Sequence, residues 1–183
     1  ATQHSGSGKA NQYFLRGFNL DHGTDFAGFV DGVPVNMRTH GHGQGYLDLN
    51  FLIPELVERI DYRKGPYFAD VGDFSAAGTV KFTTVDRLKQ PMIEATVGSY
   101  GYYRAMAAGS TPLAGGDLLL ALDGTRSNGP WDLDEDLKKV NGLIKYSRGT
   151  AEQGWNLGLT AYHATWNATD QVPERAIADG LIS

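Results

Sequence analysis

The chain has no cysteine, no long apolar run and no surplus of basic charge, and each absence closes off a class of function. Without cysteine there is no disulfide framework, thiolate metal site or cysteine nucleophile. Lysine and arginine number 16 against 21 aspartates and glutamates, for a formal charge of -5 and a pI near 5.4. Both signs are scattered, so no basic stripe offers a footprint for nucleic acid. No stretch reaches the roughly 18 apolar residues of a membrane-spanning helix, and the opening Ala1-Thr2-Gln3-His4-Ser5-Gly6 lacks the charged and apolar regions of a signal peptide. These observations bear on helical spans alone. Strands that alternate across a bilayer give weak hydropathy, and the mean hydropathy of -0.32 is compatible with them.

What is abundant is glycine: 24 residues, with seven prolines, imply tight turns and strands and disfavour a helix bundle. A polar connector at 85–91, Val85-Asp86-Arg87-Leu88-Lys89-Gln90-Pro91, divides the chain into residues 1–84 and 92–183. The first part reads as a small α+β unit, a mixed sheet with short helices. Residues 13–16 suit a strand. Residues 26–30 run into the turn dipeptide Asp31-Gly32 and then Val33-Pro34-Val35, which predicts a hairpin. Residues 52–58 are a brief helix candidate, with Pro54 at a first helical position and Glu55 at the positive end. Strands follow at 57–62 and 78–83.

Beyond the connector the pattern becomes period two, predicting strands at 92–97, 102–109, 118–123, 140–146 and 155–166. In the last, Trp155, Leu157, Leu159 and Ala161 point one way, and Asn156, Gly158, Thr160 and Tyr162 the other, as lipid-facing and lumen-facing residues of a barrel do. Connections at 111–116 and 147–153 are compact. The connection at 124–139 is long and acidic, and the stretch after Trp166 is long again; 98–101 is a shorter one on that side. Periodicity alone fits a soluble β-sandwich as well. Tyr100, Tyr102, Tyr103, Tyr146, Trp155 and Trp166, close to strand ends, favour the aromatic girdle of a membrane barrel.

Five blocks in the first part carry a family resemblance: Phe14-Leu15-Arg16-Gly17-Phe18, Phe29-Val30-Asp31-Gly32-Val33-Pro34-Val35, Leu52-Ile53-Pro54-Glu55-Leu56-Val57-Glu58-Arg59-Ile60-Asp61-Tyr62, Lys64-Gly65-Pro66 and Ala76-Ala77-Gly78-Thr79-Val80. In this order, followed by barrel-like strands, they resemble the plug domain of TonB-dependent outer-membrane receptors. The resemblance implies a β-dominated chain comprising a plug at 1–84 and, at 92–183, the first antiparallel strands of an incomplete 22-stranded transmembrane β-barrel. It implies a non-enzymatic receptor in the bacterial outer membrane that imports a scarce solute: a siderophore, metal complex, cobalamin or carbohydrate. No cofactor is expected. The implied partners are the TonB-ExbB-ExbD complex, the extracellular solute and outer-membrane lipid, with no nucleic acid. A signal peptide, the TonB box that meets that complex, and most of the barrel are expected outside these 183 residues.

The resemblance also implies roles for residues. Arg16 and Lys64 are expected to anchor the plug to barrel glutamates beyond Ser183. Lys64 stands where the family usually has arginine, keeping the charge and losing the bidentate fork. Two loops are expected at the plug apex against the solute, contributing Asn19, Asp21 and His22 from one and Met37, Arg38, His40, His42 and Gln44 from the other. His40 and His42, two apart across a glycine, are candidate metal ligands. The rival from a different class is a soluble metal-binding module using His22, His40 and His42.

Other chemistry falls away. Gly109-Ser110 and Gly98-Ser99 lack nucleophile-elbow spacing. Asp132, Asp134, Glu135 and Asp136 lack a calcium-loop pattern and read as a solvated loop. Gly6-Ser7-Gly8-Lys9 lacks the upstream glycine and preceding strand of a phosphate loop.

Overall fold

The computed structural model describes residues 1–3, 6–39, 45–150, 152–168 and 172–181. Strand dominates, in three sheets. The N-terminal unit begins with β1 (Tyr13–Leu15) and β2 (Phe18–Leu20), an antiparallel pair turned by Arg16-Gly17. After a 3-10 turn at Asp21–Gly23 come β3 (Phe26–Val30) and β4 (Val33–Pro34), the predicted hairpin. Asp31 and Gly32 both have positive φ, 47° and 81°, as a type I′ turn requires. With β5 (Val57–Lys64) and β6 (Gly78–Thr84) they form a mixed sheet in the order β4-β3-β6-β5, with only β3 and β6 parallel. Gly28 is required in β3: a Cβ there would lie 2.4 Å from the side chain of Leu47, which is fully buried.

The helix expected at 52–58 is instead one 3-10 turn, Pro54–Leu56. Val57 is already extended, at φ -79° and ψ 113°, because from that residue the chain pairs with β6. Sheet pairing of a β-branched residue wins over the helical start signals of Pro54 and Glu55. The described α-helix, α1 (Glu174–Ala178), lies after the last strand.

Beyond the connector, β7 (Met92–Gly98), β8 (Tyr102–Leu113), β9 (Gly116–Ser127), β10 (Leu137–Gly149) and β11 (Gly154–Thr165) form one antiparallel meander in sequence order. Register fixes the faces. Val140, Ile144, Tyr146 and Arg148 of β10 stand opposite His163, Leu159, Leu157 and Trp155 of β11, on the face turned away from the N-terminal unit. Asn156, Gly158, Thr160 and Tyr162 share the other face, as the alternation predicts. Ile93, Val97, Leu120, Leu122, Val140, Ile144, Leu157 and Leu159 make the away face an exposed apolar belt.

Three strands are longer than predicted. β8 and β9 continue until only Ala114-Gly115 remain as a turn, and the 124–139 connection shrinks to 128–136. Thr125, Ser127 and Lys139 read as loop because they are polar, yet they occupy the inward register, where polarity is compatible with a strand. Pro112 is tolerated in β8 because β7 starts at Met92, opposite Ala108, and offers no ladder beside it. Ala114 sits at φ 47°, where a Cβ is strained. Ala114→Gly or Ala114→Asn is therefore expected to raise stability by about 1 kcal/mol, read as a higher urea midpoint at unchanged slope.

Candidate functional site: the interface between the N-terminal unit and the strands

The N-terminal unit lies on the inward face of β7–β11. Its apolar centre joins Ile53 and Leu56 of the 3-10 turn to Met106, Ala108 and Leu119 of β8 and β9, with Leu88, Met92 and Leu143 packed around them. The Pro54 turn exists to deliver Leu56 there, fully buried.

Two cations flank this centre. The Arg104 guanidinium donates through Nη1 and Nη2 to Glu55 Oε1 and Oε2 at 2.6 and 2.9 Å, and through Nε to Asp123 Oδ2 at 2.5 Å. Glu94 stands 3.7 Å away. The two-pronged bond ties β8 to the 3-10 turn, while Asp123 holds the guanidinium plane from β9. Arg104 is 14% exposed, Asp123 3% and Glu55 20%. The second cation, Lys145 on β10, is almost fully buried; its Nζ lies 2.9 Å from Asp86 and 3.3 Å from Asp31 and donates to the Thr84 carbonyl and hydroxyl oxygens at 3.1 and 3.0 Å. Asp31 in turn accepts from the Thr84 amide and hydroxyl at 2.8 and 2.5 Å. One lysine thus gathers the β3–β4 turn, the end of β6 and the connector.

β10 is the spine of this interface, since successive inward residues each meet the N-terminal unit or its connector. Lys139 lies in the field of Asp48, Asn141 Nδ2 donates to the Asn50 carbonyl at 3.0 Å, Leu143 packs on the centre, Lys145 makes its node, and Ser147 Oγ donates to Asp86 at 2.9 Å.

These contacts shift ionisation in the N-terminal unit. The hydrogen bonds from Arg104 hold Glu55 below its usual carboxylate range. Burial opposes, but does not overcome, the lowering of Asp86 by Lys145 and Ser147. Burial pushes Asp48 up, against the Asn50 amide and Lys139, and raises the Tyr46 phenol beside it. A carboxylate depressed on folding contributes stability that is complete above its unfolded pKa and is lost as pH falls through the folded value. Docking of the N-terminal unit on β8 should accordingly weaken on acidification below the ordinary glutamate range, and Glu55→Gln should flatten that limb of a stability-against-pH profile.

The expected site residues are dispersed. Asn19 is exposed on β2 and accepts from Gln12 Nε2. Asp21 opens the 3-10 turn. His22 departs from the expected apical position: it is fully buried, with Nδ1 2.8 Å from the Ala10 carbonyl oxygen and its ring 5.5 Å from that of Tyr46. Pairing of β2 with β1 carries it under the surface, so it is a core side chain. Met37 is 53% exposed and bridges to Tyr46. Arg38 is exposed beside a groove of about 340 Å³ lined by Phe29, Asn36, Asp73 and Phe74. His40, His42 and Gln44 lie outside the described residues. Among the described residues no three of His, Cys, Asp and Glu gather as a metal site. Arg16, at the first position of its hairpin turn, and Lys64, 5.9 Å from the Tyr62 ring, are exposed and form no ion pair among the described residues.

The sequence reading missed the contacts that join the two parts. They pair two bases of the strands, Arg104 and Lys145, with two acids of the N-terminal unit, Glu55 and Asp31. The available signal was Arg104 and Lys145 as long cations in inward register.

Comparison with known proteins agrees with this architecture. Residues 1–79 match the TonB-dependent Receptor Plug Domain family. Among solved structures, the pyoverdine outer membrane receptor FpvA from Pseudomonas aeruginosa PAO1, bound to pyoverdine, superposes with a TM-score of 0.58 over 85% of this chain at 16% identity. That likeness is one of fold, and the chain spans 23% of that receptor's length. Residues 1–79, which carry the five sequence blocks as far as Thr79, thus match the plug domain family, and the chain shares its fold with part of that receptor.

Proposed function

We propose that the chain is the plug, residues 1–84, with its connector, 85–91, and the opening strands, 92–183, of an outer-membrane receptor that imports a scarce solute using energy delivered by TonB-ExbB-ExbD. The observation that carries this reading is the two-faced meander: one face holds the plug through Arg104, Lys145 and an apolar centre, and the other is an apolar belt without a protein partner among the described residues. A barrel of 22 strands would continue from β11 and close onto β7, satisfying both open edges. The two-residue turn at Ala114-Gly115 and the 150–153 turn then face the periplasm, while 99–101 and 128–136 face outward.

On this reading Asn19, Asp21, Met37, Arg38, His40, His42 and Gln44 contact the solute at the plug apex, and buried His22 supports the loop of Asn19 and Asp21 from within the unit. His40 and His42 are the side chains in that loop able to meet the metal of a chelate. Arg16 and Lys64 remain available for acidic partners on later strands. Solute binding must favour a plug conformation that TonB engages, since a ligand shifts an equilibrium only by its differential affinity.

The test is uptake of labelled siderophore, metal-complex, cobalamin and carbohydrate panels by cells expressing the full-length receptor. One class should accumulate in a way that is abolished by loss of TonB or by an uncoupler. Accumulation indifferent to both, or fractionation of the receptor away from the outer membrane, would overturn the reading.

A further inference from the structure

Glu135 is the one member of the acidic run 132–136 that is buried, at 1% exposure, and its surroundings explain why. Its carboxylate accepts from Ser7 Oγ at 2.7 Å and from Trp131 Nε1 at 2.9 Å. Its amide donates to the Asn128 carbonyl at 2.8 Å, and its own carbonyl accepts from the Asn167 amide at 2.6 Å. Asn167 Nδ2 also donates to the Asp134 carbonyl. Three segments far apart in sequence therefore meet at one residue: the N-terminal Gly6-Ser7-Gly8 and the β9–β10 connection at its carboxylate, and the chain after β11 at its backbone carbonyl.

The glycines are part of the same arrangement. Trp166 lies so close over the N-terminal segment that a Cβ at Gly8 would stand 2.2 Å from its ring carbons, and one at Gly6 would stand 3.1 Å away. Gly6-Ser7-Gly8, which has no phosphate-loop context, is thus a backbone seat for an indole, with the serine between supplying the bond to Glu135.

We propose that Glu135 is a positioning residue that couples the first outer loops to the N-terminal segment of the plug. Trp166 lies over Gly6-Ser7-Gly8 and Trp131 holds the Glu135 carboxylate from its own loop, so that displacing that segment opens the β9–β10 loop and the chain after β11 together, and opening the loops loosens the segment. Coupling of this kind is reciprocal by necessity. Its consequence for transport rests on the reading above; the coupling itself does not.

The experiment is hydrogen exchange on the full-length receptor in detergent, without TonB or solute. Gly8→Leu, on the plug side, should speed exchange of the Glu135 and Asn167 amides by about ten- to a hundred-fold, the size expected when hydrogen bonds to a charged group are lost. Glu135→Ala, on the loop side, should do the same to Ala10, whose amide donates to Tyr46 Oη. Protection in the β8–β10 ladder should be unchanged. If either larger substitution also loosens that ladder, Ser7→Ala and Glu135→Gln decide, each expected to give a several-fold effect on the opposite side. Perturbations confined to the substituted side would overturn the coupling, whatever the receptor transports.

Discussion

Arg104→Ala is expected to destabilise the chain by about 3–5 kcal/mol, the range for removing one partner from a buried charge cluster. The loss is set less by the missing attraction than by what is left behind. Asp123, 3% exposed, would remain in the interface facing Glu55 and Glu94 with no guanidinium between them. Arg104→Lys keeps the charge but cannot bond both Glu55 oxygens and Asp123 at once, so an intermediate loss of about 1.5–3 kcal/mol is expected. The pair Arg104→Met with Asp123→Leu removes the stranded charge together with its partner and should recover much of the alanine loss. Urea unfolding followed by tryptophan fluorescence measures all three. Equal midpoints for Arg104→Ala and the unsubstituted chain would mean that the cluster is solvated and does not hold the plug.

A stability loss alone would not locate the effect, and proteolysis can. The bidentate bond joins a strand to the 3-10 turn, so Arg104→Ala and Glu55→Ala should both expose the connector, where Val85 and Leu88 pack on the same apolar centre. Lys145→Met should expose it further, because Asp86 and the Thr84 end of β6 lose their common partner. Arg104 and Lys145 lie on separate strands and share no partner, so their effects should add.

Much of the fold was legible because it is local. Asp31-Gly32 between two apolar runs specifies a type I′ hairpin, and the alternation from Trp155 to Tyr162 assigns both faces of β11 without any knowledge of its neighbour. Strand ends were less legible, since inward Thr125, Ser127 and Lys139 carry the polarity of a loop, and only the register with β8 and β10 shows where they point. The interface was hidden for a different reason. Arg104 and Glu55 are 49 positions apart, and Lys145 and Thr84 are 61 apart. Nothing in a scattered set of charges says which will meet. His22 was misplaced because Asp21, His22 and Asp25 have the composition of an exposed loop, whereas pairing of Phe18–Leu20 with β1 takes the imidazole beneath Tyr46.

Leu122→Arg is the sharpest test of what the away face meets. Leu122 is 59% exposed in the isolated chain and lies opposite Gly142 on β10 and Ala107 on β8, near the middle of the belt. The belt is bounded on β10 by Lys138 toward one end and by Arg148 toward the other, with Tyr146 and Trp155 in ring contact at 5.2 Å beside the latter. The ten residue steps from Lys138 to Arg148 span about 33 Å at roughly 3.3 Å each. A strand tilt of about 45° reduces this to roughly 23 Å, close to the apolar height of an outer-membrane barrel. An arginine at the middle of that height should cost about 2–4 kcal/mol in lipid, and Thr160→Arg, on the inward face of β11, should cost far less. On a water-facing sheet the same Leu122→Arg exchange would be nearly neutral or favourable, because it would replace exposed apolar surface with a solvated charge. Refolding the full-length receptor into vesicles and comparing the two variants therefore distinguishes the environments by the sign and size of one difference. A Leu122→Arg cost no greater than that of Thr160→Arg would remove lipid from the away face and with it the barrel reading of β7–β11.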